Sequence, residues 1–171
     1  MIRTLALGVG AALLMAAPAW ACDTINSKNV KLSACVDDSE WVLQAPQGAQ
    51  ELLYFNADDT IGFTMITEKE TVAVSDYRAA ILNNAIGGAG EGGTADDVKV
   101  VKERIENIGG KPWNVIEYQV GKPGSELLFQ NFYYVQPGFG STQFVYWSLP
   151  GDSNAAAYRA GQMLSLVQFT N

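Results

Sequence analysis

The sequence predicts an α+β domain in which helices pack on an antiparallel β-sheet in a layered sandwich. Short segments with alternating apolar and polar residues are bounded by turn residues, and only two segments have helical periodicity. The order is strands, helix, strands, helix, which favours segregated layers over a parallel sheet. With 171 residues, of which 48% are hydrophobic, the chain can bury one core. We therefore predict a single α+β domain over residues 22–171.

The first 21 residues have the pattern of a signal peptide. Arg3 gives a short positive start, an uncharged apolar core follows over residues 5–17, and Ala19-Trp20-Ala21 matches a small-x-small cleavage site. The apolar run is shorter than the ~20 residues that a membrane span needs. We expect cleavage after Ala21, a periplasmic or secreted location, and no integral membrane segment in the mature chain.

Two cysteines, Cys22 and Cys35, are present in the whole chain. In an oxidising compartment such a pair favours a structural disulfide, which would add about 3 kcal/mol of stability for a loop of this size. The alternative is a lipoprotein anchored through an acylated Cys22, with Cys35 left as a free thiol. The residues before Cys22 lack the leucine that a lipobox has three positions upstream.

Seven segments have the alternation or the turn boundaries of strands. The segment at 98–108 could also form a helix, because Glu103, Arg104 and Glu106 are good helix formers. Ala57-Asp58-Asp59 separates two strands as a hairpin turn, and the last three strands form an antiparallel meander. The predicted strands cover residues 40–46, 51–56, 60–67, 98–108, 113–120, 125–136 and 141–149.

Two amphipathic helices complete the prediction. The first is expected to start at Ser75-Asp76, which offers an N-cap with an acid in the first turn, and to end at Gly87-Gly88, before a glycine-rich loop at residues 87–93. The second is expected to start at Asp152 or Ser153 and to run to about residue 169.

Composition excludes several chemistries. The chain has no histidine, which removes Ser-His-Asp and Cys-His catalysis, histidine-ligated zinc and histidine pH switching. No S-x-x-K motif offers a lysine-activated serine nucleophile. The formal net charge of -7, without any basic cluster, argues against nucleic acid as a partner. No catalytic residue, cofactor-binding residue or cofactor is predicted.

Two patterns resemble ligand sites without meeting their requirements. The string at residues 88–93 satisfies G-x-G-x-x-G, but it is expected to follow a helix rather than a strand, and it is rich in nearby acids. The paired acids at positions 37–38, 58–59 and 96–97 lack the spacing of a calcium loop. Since aspartate favours turns, solvated turns are the better interpretation, and no metal ligand is predicted.

Aromatic residues are concentrated in two neighbouring predicted strands. Alternation places Phe132 and Tyr134 on one face of their strand, and it places Tyr146 and Trp147 on opposite faces of the next. Cross-strand packing in the core is one interpretation. The other is a recognition surface formed by Phe132, Tyr134, Tyr146 and Trp147, because tyrosine and tryptophan are enriched at binding hot spots.

The layout of these elements resembles the PsbP-like fold family, which includes the photosystem subunit PsbP and bacterial envelope proteins related to DcrB. The resemblance covers almost all of the mature chain. It implies a compact domain that works by binding or assembly, without a shared active site, and the missing histidines put any metal role in doubt. The matching segments are residues 41–46, the strand at 60–67, the Ser75 helix, the Gly109-Gly110-Lys111-Pro112 turn, Glu117-Tyr118, residues 132–134 and the closing segment at 165–169.

We therefore expect a non-enzymatic envelope protein that acts as a binding or assembly factor for another protein. One alternative is a periplasmic module that binds a small molecule or a cation, and a hydrolase without histidine is a third. The sequence leaves the identity of the partner and the oligomeric state open.

Overall fold

The computed structural model describes residues 22–122 and 124–170, so the predicted signal peptide lies outside the described residues. Ten strands and two α-helices follow in the order β1 (Asp23–Asn26), β2 (Leu32–Val36), β3 (Val42–Gln44), β4 (Gln50–Phe55), β5 (Ile61–Glu68), α1 (Val74–Gly88), β6 (Val98–Ile108), β7 (Lys111–Val120), β8 (Leu127–Gln136), β9 (Gly140–Ser148), α2 (Ser153–Leu164) and β10 (Gln168–Phe169).

Seven of the strands form one antiparallel sheet in the order β3-β4-β5-β9-β8-β7-β6. Consecutive hairpins build β3 to β5 and β6 to β9, and the two groups join where β9 pairs with β5. A smaller antiparallel sheet has the order β1-β2-β10. The predicted α+β architecture with an antiparallel sheet is confirmed.

Both faces of the large sheet are covered, at least in part. On one face, here called the α2 face, the small sheet and α2 enclose a core around Phe63, Phe144 and Trp113, which are all fully buried. On the opposite α1 face, a second core forms where Tyr77 and Ile81 of α1 pack on the sheet. The molecule therefore has three layers.

Most predicted strands are found within a few residues of their expected positions, and residues 98–108 form a strand. The alternation of side chains along β6 is interrupted by a register shift between Val100 and Lys102, opposite β7. Helix formers in this segment do not prevent the strand, because pairing with β7 satisfies the backbone groups on the side of β6 that faces β7.

The prediction for the start of α1 is wrong. The cap residue is Ala73, whose carbonyl accepts the Tyr77 N–H at 3.0 Å, and no side chain caps the helix. Tyr77 is buried against Tyr133 with ring centroids 5.8 Å apart, so packing of the first turn sets the helix start.

The prediction that the second helix runs to residue 169 is also wrong. Helix α2 ends at Leu164, and β10 then pairs with β2. Val167 is buried, and Phe169 packs on Tyr134 with a centroid separation of 5.4 Å. An extended chain brings both side chains into the α2-face core, which a continuing helix would not do.

Cys22 and Cys35 form a disulfide with a Cα–Cα separation of 5.5 Å. It links the start of the described chain to β2, next to the pairing of Thr24 with Cys35 in the β1–β2 hairpin. The bond occupies the sulfur of Cys22, so this structure fits the disulfide interpretation and not an acylated Cys22.

Candidate functional site

One row of directly paired residues crosses all seven strands on the α1 face, and every member is apolar or glycine. In a row of this kind, side chains of neighbouring strands point the same way and touch. We call it the aromatic row, and its members from β3 to β6 are Val42, Phe55, Gly62, Trp147, Phe129, Tyr118 and Val100.

The rings contact one another along this row. Phe55 meets Trp147 edge-on at a centroid distance of 5.5 Å, and Phe129 stacks beside Trp147 at 6.1 Å. Tyr118 stacks on Phe129 at 5.2 Å. These separations are those of favourable aromatic pairs, which add about 0.5–1.5 kcal/mol each beyond the area they bury.

Helix α1 covers only one end of the aromatic row. It packs over β6 and β7, where Tyr118 is buried. Phe55, Trp147 and Phe129 are only half-buried, and Val42 at the far end is 48% exposed. The part of the row from β3 to β8 is therefore an apolar strip that reaches solvent.

Gly62 determines how Trp147 lies on the sheet. A Cβ atom at position 62 would overlap the indole carbons Cε2 and Cζ2 of Trp147. The indole can approach the backbone of β5 this closely only because glycine has no side chain. The glycine at position 62 therefore lets the Trp147 indole lie between Phe55 and Phe129.

The structure separates the four residues of the predicted recognition surface. Phe132 and Tyr146 are 3% and 2% exposed on the α2 face, so they are core residues and the expectation that they form an exposed surface is wrong. Tyr134 is half-buried on the same face, between Trp113 and Phe169. Trp147 lies on the opposite face, and a role for it in recognition stays a prediction.

Tyr146 is one of several core residues with an unpaired polar atom in the part of the chain that the structure describes. Its hydroxyl has no hydrogen-bond partner among the described residues, and burial raises the pKa of the phenol well above its ordinary value. The side chain borders a cavity of about 250 Å³ between the sheet and α2, together with Glu117, Gln130 and Ala156. Such an unsatisfied group costs about 1–3 kcal/mol of stability.

A second, more apolar cavity of about 400 Å³ lies beside the disulfide. Val36, Trp41, Met163 and Leu166 contribute its apolar lining. Arg159 also lines it, with its guanidinium 5.6 Å from the centre of a Trp41 ring and its Nε 3.4 Å from a carboxylate oxygen of Glu40. The Nη1 atom of Arg159 is buried and has no hydrogen-bond partner in the described part of the chain.

Charged residues of β6 are held by ion pairs within the domain. Arg78 of α1 donates to both carboxylate oxygens of Glu103, at 2.9 Å from Nε and 2.5 Å from Nη2. This hydrogen bonding lowers the pKa of Glu103. On the other face of β6, Arg104 donates to Glu106 and to Glu117. The pairs tie β6 to α1 and to β7.

The described acids at the three aspartate pairs act in turns. Asp97 accepts hydrogen bonds from the backbone N–H and hydroxyl of Thr94, which lower its pKa. Asp37 accepts from Ser39, and Asp59 adopts a left-handed conformation in the β4–β5 turn. Over residues 22–122 and 124–170, no three acidic or cysteine side chains converge in a way that could hold a metal ion.

The glycine string follows a helix and not a strand. Its first glycine, Gly88, is the last residue of α1, and Gly90 and Gly92 adopt positive φ angles in the connection to β6. A phosphate-binding loop needs the opposite order, in which the glycines open a helix. This segment therefore gives the molecule a turn between α1 and β6.

The three-layer arrangement, with a seven-stranded antiparallel sheet between α1 and the α2 layer, is a PsbP-like fold. No known family and no curated protein matches the sequence. The fold is similar to that of the cyanobacterial PsbP (CyanoP) of Synechocystis sp. PCC 6803, with a TM-score of 0.62 and 8% identity over 94% of this chain and 98% of that one.

Two further solved structures share the fold. LpqN, involved in cell envelope biogenesis of Mycobacterium tuberculosis, has a TM-score of 0.54 and 13% identity over 88% of this chain and 91% of its own. A Bacteroides thetaiotaomicron protein has a TM-score of 0.54 and 15% identity over 86% of this chain. The present chain spans 48% of the length of that protein.

No helix in the described ranges is long and apolar enough to cross a membrane. The disulfide is consistent with an extracytoplasmic location.

The recognition surface predicted from the sequence includes Trp147 but not its neighbours Val42, Phe55 and Phe129. Each belongs to a strand that was predicted, and alternation alone could have placed each on one of two faces. The row itself depends on β9 pairing with β5, a contact between residues far apart in the sequence.

Proposed function

We propose that this chain is a non-catalytic envelope protein that binds another protein through the open half of the aromatic row. The observation that carries the proposal is the half-buried strip of Phe55, Trp147 and Phe129, continued by Val42, on the part of the α1 face that α1 leaves open. Exposed aromatic residues on a rigid sheet lose little conformational entropy on binding, and they dominate the energetics of many interfaces.

The charge of the chain suggests the character of the partner. Since the whole chain has a formal net charge of -7, it attracts a partner whose apolar contact segment is flanked by lysine or arginine. Cleavage of residues 1–21 as a signal peptide, and folding of residues 22–171 as a single domain in the periplasm, are parts of the same proposal. The Cys22–Cys35 disulfide supports them, because such bonds persist in oxidising compartments.

Several observations favour binding over catalysis. The sequence contains no histidine, and the most strongly raised pKa values belong to the buried phenols of Tyr118 and Tyr146. Burial accounts for both shifts, which is typical of packed core residues and not of a general acid or base in an open cleft.

Site-specific photo-crosslinking in the native envelope tests the proposal. A benzophenone amino acid placed at Phe55 or Phe129 should give one discrete adduct with another protein. The same probe at Tyr158 of α2, which is 67% exposed on the other side of the molecule, is the matched control. Adduct formation at the row should fall when Trp147 is replaced by alanine and the variant remains folded.

An adduct formed in equal yield by the probe at Tyr158 would contradict the proposal, because crosslinking would then not be specific to the aromatic row. The absence of any adduct at the row, in cells that express the folded protein, would contradict it as well.

A second candidate function is the binding of a small molecule that combines an apolar body with an anionic group. The apolar cavity beside the disulfide supports it, because Arg159 lines this cavity and its Nη1 atom lacks a hydrogen-bond partner among the described residues. Native mass spectrometry of protein from its envelope fraction would show the bound mass. Arg159→Gln should release that mass, whereas Lys111→Gln, at the start of β7 and outside the lining of the cavity, should retain it.

A further inference from the structure

We propose that two copies of this chain associate by pairing their β6 strands antiparallel, which would join the two seven-stranded sheets into one. This inference is independent of the proposed use of the aromatic row. It rests on the length, exposure and charge pattern of β6.

Strand β6 is a long open edge. It ends the large sheet with 11 residues, whereas the strand at the opposite end, β3, has only three. An unpaired edge presents a line of free N–H and C=O groups that can pair with another strand, and monomeric proteins ordinarily keep such edges short. The large sheet follows this rule at β3 and departs from it at β6.

The exposed side of β6 is also apolar at its centre. Ile105 is 70% exposed and Val101 is 57% exposed, and these are among the most exposed large hydrophobic residues of the described chain. Val101 lies at the register shift between Val100 and Lys102, so the straight part of the edge runs from Lys102 to Ile108. Ile105 is the middle residue of this straight part.

Symmetry restricts how two β6 strands can pair. Antiparallel strands of identical chains are related by a two-fold axis perpendicular to the sheet, so one residue must face its own copy. Cross-strand neighbours lie about 4.5–5.5 Å apart at Cβ, where like charges directly opposite one another destabilise the pair.

Only one residue in the middle of the straight segment can lie at the two-fold axis without such a clash. Centring the pair on Glu103, Arg104 or Glu106 would place that charged side chain against itself. Centring it on Ile105 places Ile105 against Ile105, and it places each Arg104 opposite Glu106 of the second copy. The exposed isoleucine is then covered, and opposite charges meet on both sides of it.

The ion pairs within one copy are compatible with this register. Arg104 already donates to Glu106 and Glu117 of its own chain, while its side chain and that of Glu106 keep 24% and 37% of their exposure. A guanidinium has five N–H donors, so a carboxylate of the second copy can add to these contacts. Glu103 is held by Arg78 and would face Asn107, which is uncharged.

Sedimentation velocity of the mature domain over a concentration series tests the dimer. We expect wild type to change from monomer to dimer as its concentration rises to about 100 µM. Ile105→Lys puts two like charges in contact and should weaken the dimer at least about tenfold. Val101→Lys adds the same charge outside the paired segment and should leave the dimer intact.

Cysteine crosslinking tests the register. Ile105→Cys should form an intermolecular disulfide readily under mild oxidation, since the two Cβ atoms face each other across the axis. Asn107→Cys should not, because each copy would face Glu103. A wild-type monomer throughout the series, an unchanged dimer in Ile105→Lys, or equal crosslinking at both positions would overturn the proposal. Trp147→Ala should leave the dimer unchanged, so failure of the proposed function and failure of this inference are distinguishable.

Discussion

Replacing Tyr146 by phenylalanine should make the protein more stable, although it removes a polar atom from a buried residue. The side chain is 2% exposed, and its hydroxyl has no hydrogen-bond partner among the described residues. In the unfolded chain the same hydroxyl is hydrated. Folding therefore loses a water hydrogen bond without replacing it, which costs about 1–3 kcal/mol.

The substitution also has a cost, but it is smaller. The ring contacts of Tyr146 with Phe63, at 4.9 Å between centroids, and with Phe132, at 6.3 Å, are retained in phenylalanine. Deleting one oxygen leaves a void of roughly 10–15 Å³, which at about 24 cal/mol per Å³ costs about 0.3 kcal/mol. The expected net gain is therefore about 1 kcal/mol or more.

Urea unfolding followed by circular dichroism measures this gain. With a denaturant slope of about 2 kcal/mol per molar, a gain of 1 kcal/mol moves the midpoint upward by about 0.5 M. Tyr158→Phe is the control, because Tyr158 is 67% exposed and its loss should change stability by less than about 0.5 kcal/mol.

A Tyr146→Phe variant that is less stable than wild type by 1 kcal/mol would refute the reasoning. It would mean that the hydroxyl is satisfied in the folded protein, for instance by a buried water molecule in the neighbouring cavity.

Three other perturbations test separate parts of the structure. Breaking the Cys22–Cys35 bond, which spans 13 positions, should lower the free energy of unfolding by about 3 kcal/mol; equal urea midpoints with and without reductant would contradict this. Burial raises the pKa of Tyr118 to about 12 from 10.0, so the unfolded state loses its proton first as the pH rises. Stability that is present below pH 10 should therefore fall by roughly 2 kcal/mol by pH 12. Tyr118→Phe should reduce the loss in the free energy of unfolding between pH 10 and pH 12. An unchanged loss in this variant would show that other groups cause it. Gly62→Ala should displace the Trp147 indole and cost about 1–3 kcal/mol, visible as a lower urea midpoint and a changed tryptophan emission; an unchanged midpoint would show that the indole moves freely.

The sequence predicts the long strands well because their patterns repeat many times. Strand β6 has 11 residues, and its pairing with β7 outweighs the helix-forming glutamates and arginine in the segment. Strand β10 has only two residues, too few for any period to show. Its formation depends on Val167 and Phe169 reaching the α2-face core, which only the folded structure reveals.

Local capping signals are a weaker guide than burial in this chain. Ser75 and Asp76 have the side chains of cap residues, yet α1 begins before them because Tyr77 packs on Tyr133. Tertiary packing here overrides the local preference of the capping residues.

The candidate site is harder to predict than the strands that carry it. Periodicity shows that Trp147 and Tyr146 point to opposite faces, but it cannot show which face stays open. The answer depends on the strand order and on where α1 crosses the sheet. The alignment of Phe55, Trp147 and Phe129 follows from pairings of strands that are distant in sequence.

The small sheet places a constraint on the order in which the protein can be built. Strand β2 lies between β1, which is synthesised just before it, and β10, which follows more than 130 residues later. The ribosome releases the β1–β2 hairpin early, but one edge of β2 stays unpaired until residues 168–169 have been synthesised. A nascent chain therefore exposes β2 and its apolar side chains until synthesis is nearly complete, which gives a chaperone or an export factor a long interval in which to bind it unfolded.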